Sequence, residues 1–130
     1  MRGEALVDGT GEGPVLRLAA PISFWGGVDP QSAEIVLEGH PQKGACVAGT
    51  VLVLPRLAGS SSSSAVMLEL CRLGRAPAAV ILGMRDAILP IGVVVSRQMG
   101  WAVPPVLLLP DAPWTTGARV RVEGGRAQAL

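Results

Sequence analysis

Val51–Leu54 (VLVL), entered from Thr50 and closed by Pro55, is an apolar run that no polar residue interrupts. Neither face of such a strand can meet water, so Thr50–Leu54 is predicted to lie inside a sheet covered on both sides. Gly59 and five serines follow, then Ala65–Leu73, where Val66, Leu70 and Leu73 share one helical face and Gly74 is placed to cap the C-terminus. Ala78–Leu82 predicts the next strand. Ala87–Met99 predicts a second helix with Pro90 in its first turn, although Gly92–Val95 carries strand propensity. Val106–Leu109 completes the series as another buried strand. Strand, helix, strand, helix, strand is the pattern of two consecutive βαβ units.

Shorter elements flank this block. Glu4–Val7 and Val15–Leu18 stand on either side of a Gly-rich stretch, Asp8–Gly13, and are expected to form a hairpin or meander. Arg119–Val122 and Arg126–Ala129 read as a terminal hairpin about Gly124-Gly125. Ser23–Pro30 (SFWGGVDP) is a loop, because Gly26-Gly27 permit positive φ and Asp29-Pro30 favours a turn. Glu34–Leu37 reads as a short strand ended by Gly39-His40-Pro41. The expected architecture is α/β: a small sandwich or swivel-type β/α barrel with two βαβ units and hairpins at both ends. Residues 1–130 are expected to form one domain without internal repeat or linker.

Composition bounds the function. Apolar residues make up 49% of the 130 and charged residues 16%; 11 Lys and Arg oppose 10 Asp and Glu, a net charge of +1. Such a balance gives no electrostatic ground for nucleic acid or an anionic membrane as partner. No apolar stretch reaches membrane-spanning length. Cys46 and Cys71 are 25 positions apart, with neither a CxxC nor a histidine at ligand spacing, so no metal site is expected in this chain. A lone disulfide stays open beside the favoured reading of reduced thiols in the cytoplasm.

Chemistry is concentrated in Gly59-Ser60-Ser61-Ser62-Ser63-Ser64. The run leaves a buried strand and opens a helix, where unpaired N–H groups and the positive end of the helix dipole favour a carboxylate, a phosphate or a serine alkoxide. Plain N-cap serines or a flexible linker are the competing structural readings. No GK[ST] follows, so the loop is not a Walker motif. Phe24-Trp25 beside two glycines is costly to leave solvated and is expected in the core or against a partner. His40, the only histidine, is by default a loop residue with hydrogen-bonding duty. Arg56, Arg72, Arg75 and Arg85 are candidate anion ligands that are more usually solvated, and Cys71 is expected to be buried packing.

Taken together, SFWGGVDP, Gly39-His40-Pro41 with Gly44, VAGTVLVLP, the Gly-Ser run, RAPAAVIL and the TGARVRVEGG ending resemble the small, swivelling subunit of aconitase X enzymes. The resemblance spans nearly the whole chain and implies a swivelling β/β/α domain. It implies a subunit, inactive alone, of a hydro-lyase that dehydrates cis-3-hydroxy-L-proline or, in the archaeal branch, mevalonate 5-phosphate. A large subunit would carry the iron–sulfur cluster and form the heterodimer, and this chain would bind no cofactor itself. Of the two substrates, both small anions, cis-3-hydroxy-L-proline is the one expected.

By the same resemblance Ser60 is the proton acceptor, Gly59, Ser61 and Ser64 bind substrate, and Ser61 to Ser63 occupy variable positions. Ser64, four residues on, would share a helical face with Ser60. Trp25, Gly26, Gly27, His40 and Arg56 are the expected partner or substrate contacts. Relatives commonly carry Thr-Gly after the VDP turn, an Asp shortly before His-Pro, and Gly-Arg before the Gly-Ser. This chain has Gln31-Ser32-Ala33, Leu37 and Leu57-Ala58 there, with Arg56 as its nearest arginine.

Two other functions compete. A phosphohistidine swivel domain needs a reactive histidine near a helix start, and His40 stands in a proline turn far ahead of Gly59. A non-catalytic interaction or regulatory subunit would only complete a partner's cleft, and the missing Gly-Arg is the feature that favours it.

Overall fold

A computed structural model describes residues 1–130. Seven strands, β1 (Glu4–Val7), β2 (Thr10–Arg17), β3 (Val51–Leu54), β4 (Ala79–Leu82), β5 (Val106–Leu108), β6 (Arg119–Glu123) and β7 (Arg126–Ala129), form one curled sheet, a half-barrel in the order β1-β5-β4-β3-β2-β6-β7. The helical segments are a single turn, α1 (Phe24–Gly27), and two full helices, α2 (Ser63–Arg72) and α3 (Ile88–Gln98). β2, β3, β4 and β5 run parallel, and β3-α2-β4-α3-β5 are the two predicted βαβ units.

The burial of β3 follows from its position. Leu52 and Leu54 join a core with Val66, Met67 and Leu70 of α2 and Leu89 and Val93 of α3. Val51 and Val53 point the other way and pack with Val120, Val122 and Ala127 of the β6–β7 hairpin. Each fully buried Val or Leu contributes about 1.5–3 kcal/mol, which commits this strand to the sheet centre. Strand propensity in Gly92–Val95 loses to helical packing, because Leu89 and Val93 reach the core only at helical spacing. Gly74, at φ +69, caps α2: its N–H bonds to the Cys71 carbonyl and Arg75 N–H to the Leu70 carbonyl.

The hairpin expected at the N-terminus does not form. β1 pairs antiparallel with β5, whereas β2 pairs with β6 through Thr10–Pro14 and with β3 through Val15–Arg17. Gly11 and Gly13 therefore belong to a strand, not to a turn. A Cβ on Gly11 would fall 1.8 Å from the Ala78 carbonyl oxygen, and one on Gly13 2.5 Å from that of Gly49. The first half of β2 crosses the residues just ahead of β3 and β4 at backbone-to-backbone distance, which only glycine permits. The C-terminal hairpin forms as expected, with Val122 opposite Ala127 and Gly124 at φ +51 in the turn.

Glu34–Leu37 is also not a strand. It makes only isolated bridges, Glu34 to Cys46 and Ile35 to Val28. Ala33 at φ +64 turns the chain just before it, so Ile35 and Val47 are buried by an irregular segment without a ladder.

Candidate active site

The carboxyl ends of the parallel strands form one edge of the sheet. A cleft of about 230 Å³ opens there between Leu18, Leu54, Pro55, Gly83 and Leu109. This is the edge at which parallel α/β sheets place ligands, since the strand-to-helix loops converge on it. Arg17 reaches the cleft, but its guanidinium already donates to the carbonyls of Ala112 (2.7 Å) and Trp114 (3.0 Å).

The serine loop leaves β3 at the same edge. Gly59 has φ +65 and Ser60 φ +72, two successive left-handed residues. For serine this geometry costs about 1–2 kcal/mol, and such strain is characteristically stored at functional positions. Ser60 is exposed; its Oγ accepts the Ser62 N–H at 3.3 Å, and its carbonyl accepts the Ser63 N–H at 3.2 Å. A backbone donor aimed at Oγ beside the positive end of α2 favours negative charge on that oxygen.

The remaining serines divide by role. Ser62 stands at the N-cap but makes no capping bond through its side chain. Helix α2 begins at Ser63, which leaves Ser60 outside it. The helical face that Ser60 and Ser64 were expected to share does not exist, and the Ser64 hydroxyl donates back to the Ser61 carbonyl at 3.0 Å. Ser63 is buried. Its Oγ lies 3.3 Å from Ser23 Oγ, accepts the Trp25 N–H at 3.2 Å and donates to the Gly59 carbonyl at 3.5 Å. Ser23 Oγ donates to the same carbonyl at 3.2 Å.

These bonds draw the SFWGG turn onto the serine loop. Ile22 bridges Leu57, and the Ala58 N–H donates to the Ile22 carbonyl. Phe24 is fully buried, as expected of core, whereas Trp25 is 59% exposed. Trp25 turns outward because its backbone leaves helical geometry (ψ 114), and Gly26 follows at φ +80 with open space around it. Gly27 is required by packing, since a Cβ there would meet Ile22 Cγ1 at 2.7 Å.

His40 is buried and engaged through both ring nitrogens. Nδ1 accepts the Gln42 N–H at 3.0 Å, which leaves the proton on Nε2 to donate to the Ala20 carbonyl at 3.1 Å. Gln42 Oε1 in turn accepts the Ala19 N–H at 2.8 Å. His40 therefore braces the approach to SFWGG and offers no free nitrogen. Arg56 is exposed and belongs to none of the four ion pairs, whereas Arg72 pairs with Glu69 and Arg85 with Glu4.

Asp29 closes the turn after Trp25. Its carboxylate accepts the N–H groups of Gln31 (2.8 Å) and Ser32 (3.2 Å), which hold it below the usual carboxylate range. Burial pushes the Cys71 thiol up, against an opposing hydrogen bond from Ser96. Cys71 and the exposed Cys46 are both free thiols, so the disulfide left open above is not formed. No three His, Cys, Asp or Glu residues come together as metal ligands, and this donor set does not fit an iron–sulfur cluster.

Ser23 and Ser63 are the residues that sequence reasoning missed. Their partnership spans 40 positions, and nothing local distinguishes Ser63 from its four neighbours.

Against known proteins, residues 1–129 match the family described as the Aconitase X swivel domain, and the chain belongs to that family. It is 39% identical, over 99% of its length, to cis-3-hydroxy-L-proline dehydratase of Hypocrea jecorina, and 38% identical over 91% to that of Pseudomonas aeruginosa. It spans only 22% of each of those longer chains. It also covers 94% of the phosphomevalonate dehydratase small subunit of Thermococcus gammatolerans, at 31% identity. Its fold superposes on the crystal structure of holo aconitase X from Thermococcus kodakaraensis with a TM-score of 0.89, at 32% identity, covering 99% of this chain and 96% of that one. No helix is long and apolar enough to cross a membrane.

Proposed function

We propose that residues 1–130 act as one swivel domain, the small component of an aconitase X-type dehydratase, and that Ser60 accepts the proton removed from the substrate. The observation that carries this reading is the left-handed, exposed Ser60 at the carboxyl edge of the parallel strands. A free serine is far too weak a base, so its alkoxide must be stabilised. The Ser62 N–H at 3.3 Å and the start of α2 are the groups that do so here. Arg56, unpaired on the same loop, is the cation for the substrate anion, with Gly59, Ser61 and Ser64 shaping the approach. Ligands for a cluster, and the means of drawing off the hydroxyl group, fall to a larger chain over this edge. Two free thiols accord with a cytoplasmic setting.

The substrate proposed is cis-3-hydroxy-L-proline, supported by the greater identity to the two enzymes that carry that name. Mevalonate 5-phosphate is the second reading, supported by the 31% identity to the phosphomevalonate dehydratase small subunit of Thermococcus gammatolerans. The test is reconstitution with the large subunit and side-by-side turnover of both compounds. Faster turnover of the phosphate compound would sink the first substrate. Ser60→Ala is expected to lower kcat by roughly two to four orders of magnitude, the scale of a positioned acid–base group. Full turnover by that variant would leave a non-catalytic subunit as the better reading.

A further inference from the structure

Helix α3 is apolar on both sides. Leu89 and Val93 are buried in the core, while Ile91, Val94 and Val95 on the outer side are 43–56% exposed. No charged residue occurs from Ile88 to Ser96 (ILPIGVVVS). Positions 91, 94 and 95 are neighbours on a helix surface, and exposed Met99 extends the strip by a turn. The adjacent α2 differs: Glu69 and Arg72, an ion pair at 2.5 Å, give it a polar outer side. A helix that is hydrophobic all round is a buried helix, yet nothing in this chain covers α3.

We propose that the outer face of α3, centred on Ile91, Val94 and Val95, is a docking surface for the larger chain of the enzyme. This rests on the reading proposed above and names where its partner sits. Two observations select that occupant. The domain forms only 22% of the hydroxyproline dehydratases it resembles and matches proteins named small subunits, so relatives carry or accompany further protein. The strip is also continuous with the serine loop: Gly92, beside Ile91, packs so closely on α2 that a Cβ would fall 2.4 Å from the Ser64 carbonyl oxygen. A body that closes over Ser60 therefore reaches α3 as well. A second copy of this chain on the strip would crowd the loop that the larger chain must complete.

The experiment titrates the full chain into purified cognate large subunit by calorimetry, with light scattering of the chain alone. Val94→Glu and Ile91→Gln are each expected to weaken binding about tenfold or more, as burying a charge or polar group at an apolar contact does. Arg72→Ala, on the polar outer side of α2, is expected to bind as the wild type does. Circular dichroism checks that the exposed substitutions leave the fold intact, and Ile91→Gln keeps the test alive if Val94→Glu unfolds. Wild-type affinity in folded Val94→Glu and Ile91→Gln overturns the proposal but not the proposed function. A chain that dimerises alone and becomes monomeric in Val94→Glu assigns the strip to a second copy and also overturns it. Failure of the wild-type chain to bind the large subunit overturns both.

Discussion

The Ser63 hydroxyl accepts the backbone N–H of Trp25 at 3.2 Å, across 38 positions of sequence. Through that bond the first residue of α2 fixes where the SFWGG turn leaves its helical turn and swings Trp25 outward. The same oxygen reaches the Gly59 carbonyl and Ser23 Oγ, so one buried hydroxyl at the start of α2 ties the SFWGG turn to the left-handed pair Gly59-Ser60.

Ser63→Ala removes that tie and leaves the Trp25 N–H without its partner. The expected cost is about 1–2 kcal/mol, the scale of an unsatisfied buried donor, read as a lowered urea midpoint. Ser62→Ala makes no such break and is expected to stay within about 0.5 kcal/mol of wild type. Equal effects for the two would show that the Ser63 contacts do not hold the turn.

Ser60→Gly separates stability from chemistry. Relief of left-handed strain yields about 1–2 kcal/mol, and the added freedom of the unfolded chain takes back about 0.4–1 kcal/mol. A net gain of about 0–1.6 kcal/mol is expected, together with loss of turnover in the reconstituted enzyme. A destabilised Ser60→Gly chain would contradict the strained geometry.

Gly11→Ala tests the close crossing of β2 past Ala78. Its Cβ would sit 1.8 Å from a backbone carbonyl oxygen, where no side-chain rotation gives relief. Overpacking of this kind costs about 1–3 kcal/mol and more when backbone must move. A melting temperature unchanged from wild type would mean that β2 does not approach Ala78 as described.

Acid titration reports on Asp29. Backbone N–H donors lower its folded pKa beneath that of the unfolded chain. The unfolded state therefore binds its proton first as pH falls. The stabilisation is present in full above the ordinary Asp value of about 3.9 and is lost as pH falls through the lowered folded value. Glu4 adds to the same acid limb through its bond to Arg85, and salt should weaken that part. Thermal unfolding of Asp29→Asn should show a shallower fall on that limb; an unchanged slope would remove Asp29 as a contributor.

The βαβ block was legible in the residues themselves. Val51–Leu54, Ala79–Leu82 and the helices around Met67 and Val93 follow from apolar spacing, because periodicity dictates which faces must leave water. Gly74 and Gly124-Gly125 were equally legible, since a positive φ at a helix end or tight hairpin is a local demand. The serine loop's place between strand and helix was readable for the same reason, as was its family likeness.

Other features came only from tertiary structure. Gly11 and Gly13 look like turn residues in sequence, yet they serve a strand that needs their missing Cβ atoms to pass over Gly49 and Ala78. Ala33 adopts a glycine-like φ that its identity does not announce, and a nominal strand dissolves behind it. Ser63 is indistinguishable from four neighbouring serines until Ser23 and Trp25 arrive from far upstream. Local propensity and periodicity act over a few residues and can be read along a chain. Close backbone approach and long-range hydrogen bonding depend on which segments meet, and here only the packed fold brings β2 across Gly49 and Ala78 and SFWGG onto the serine loop.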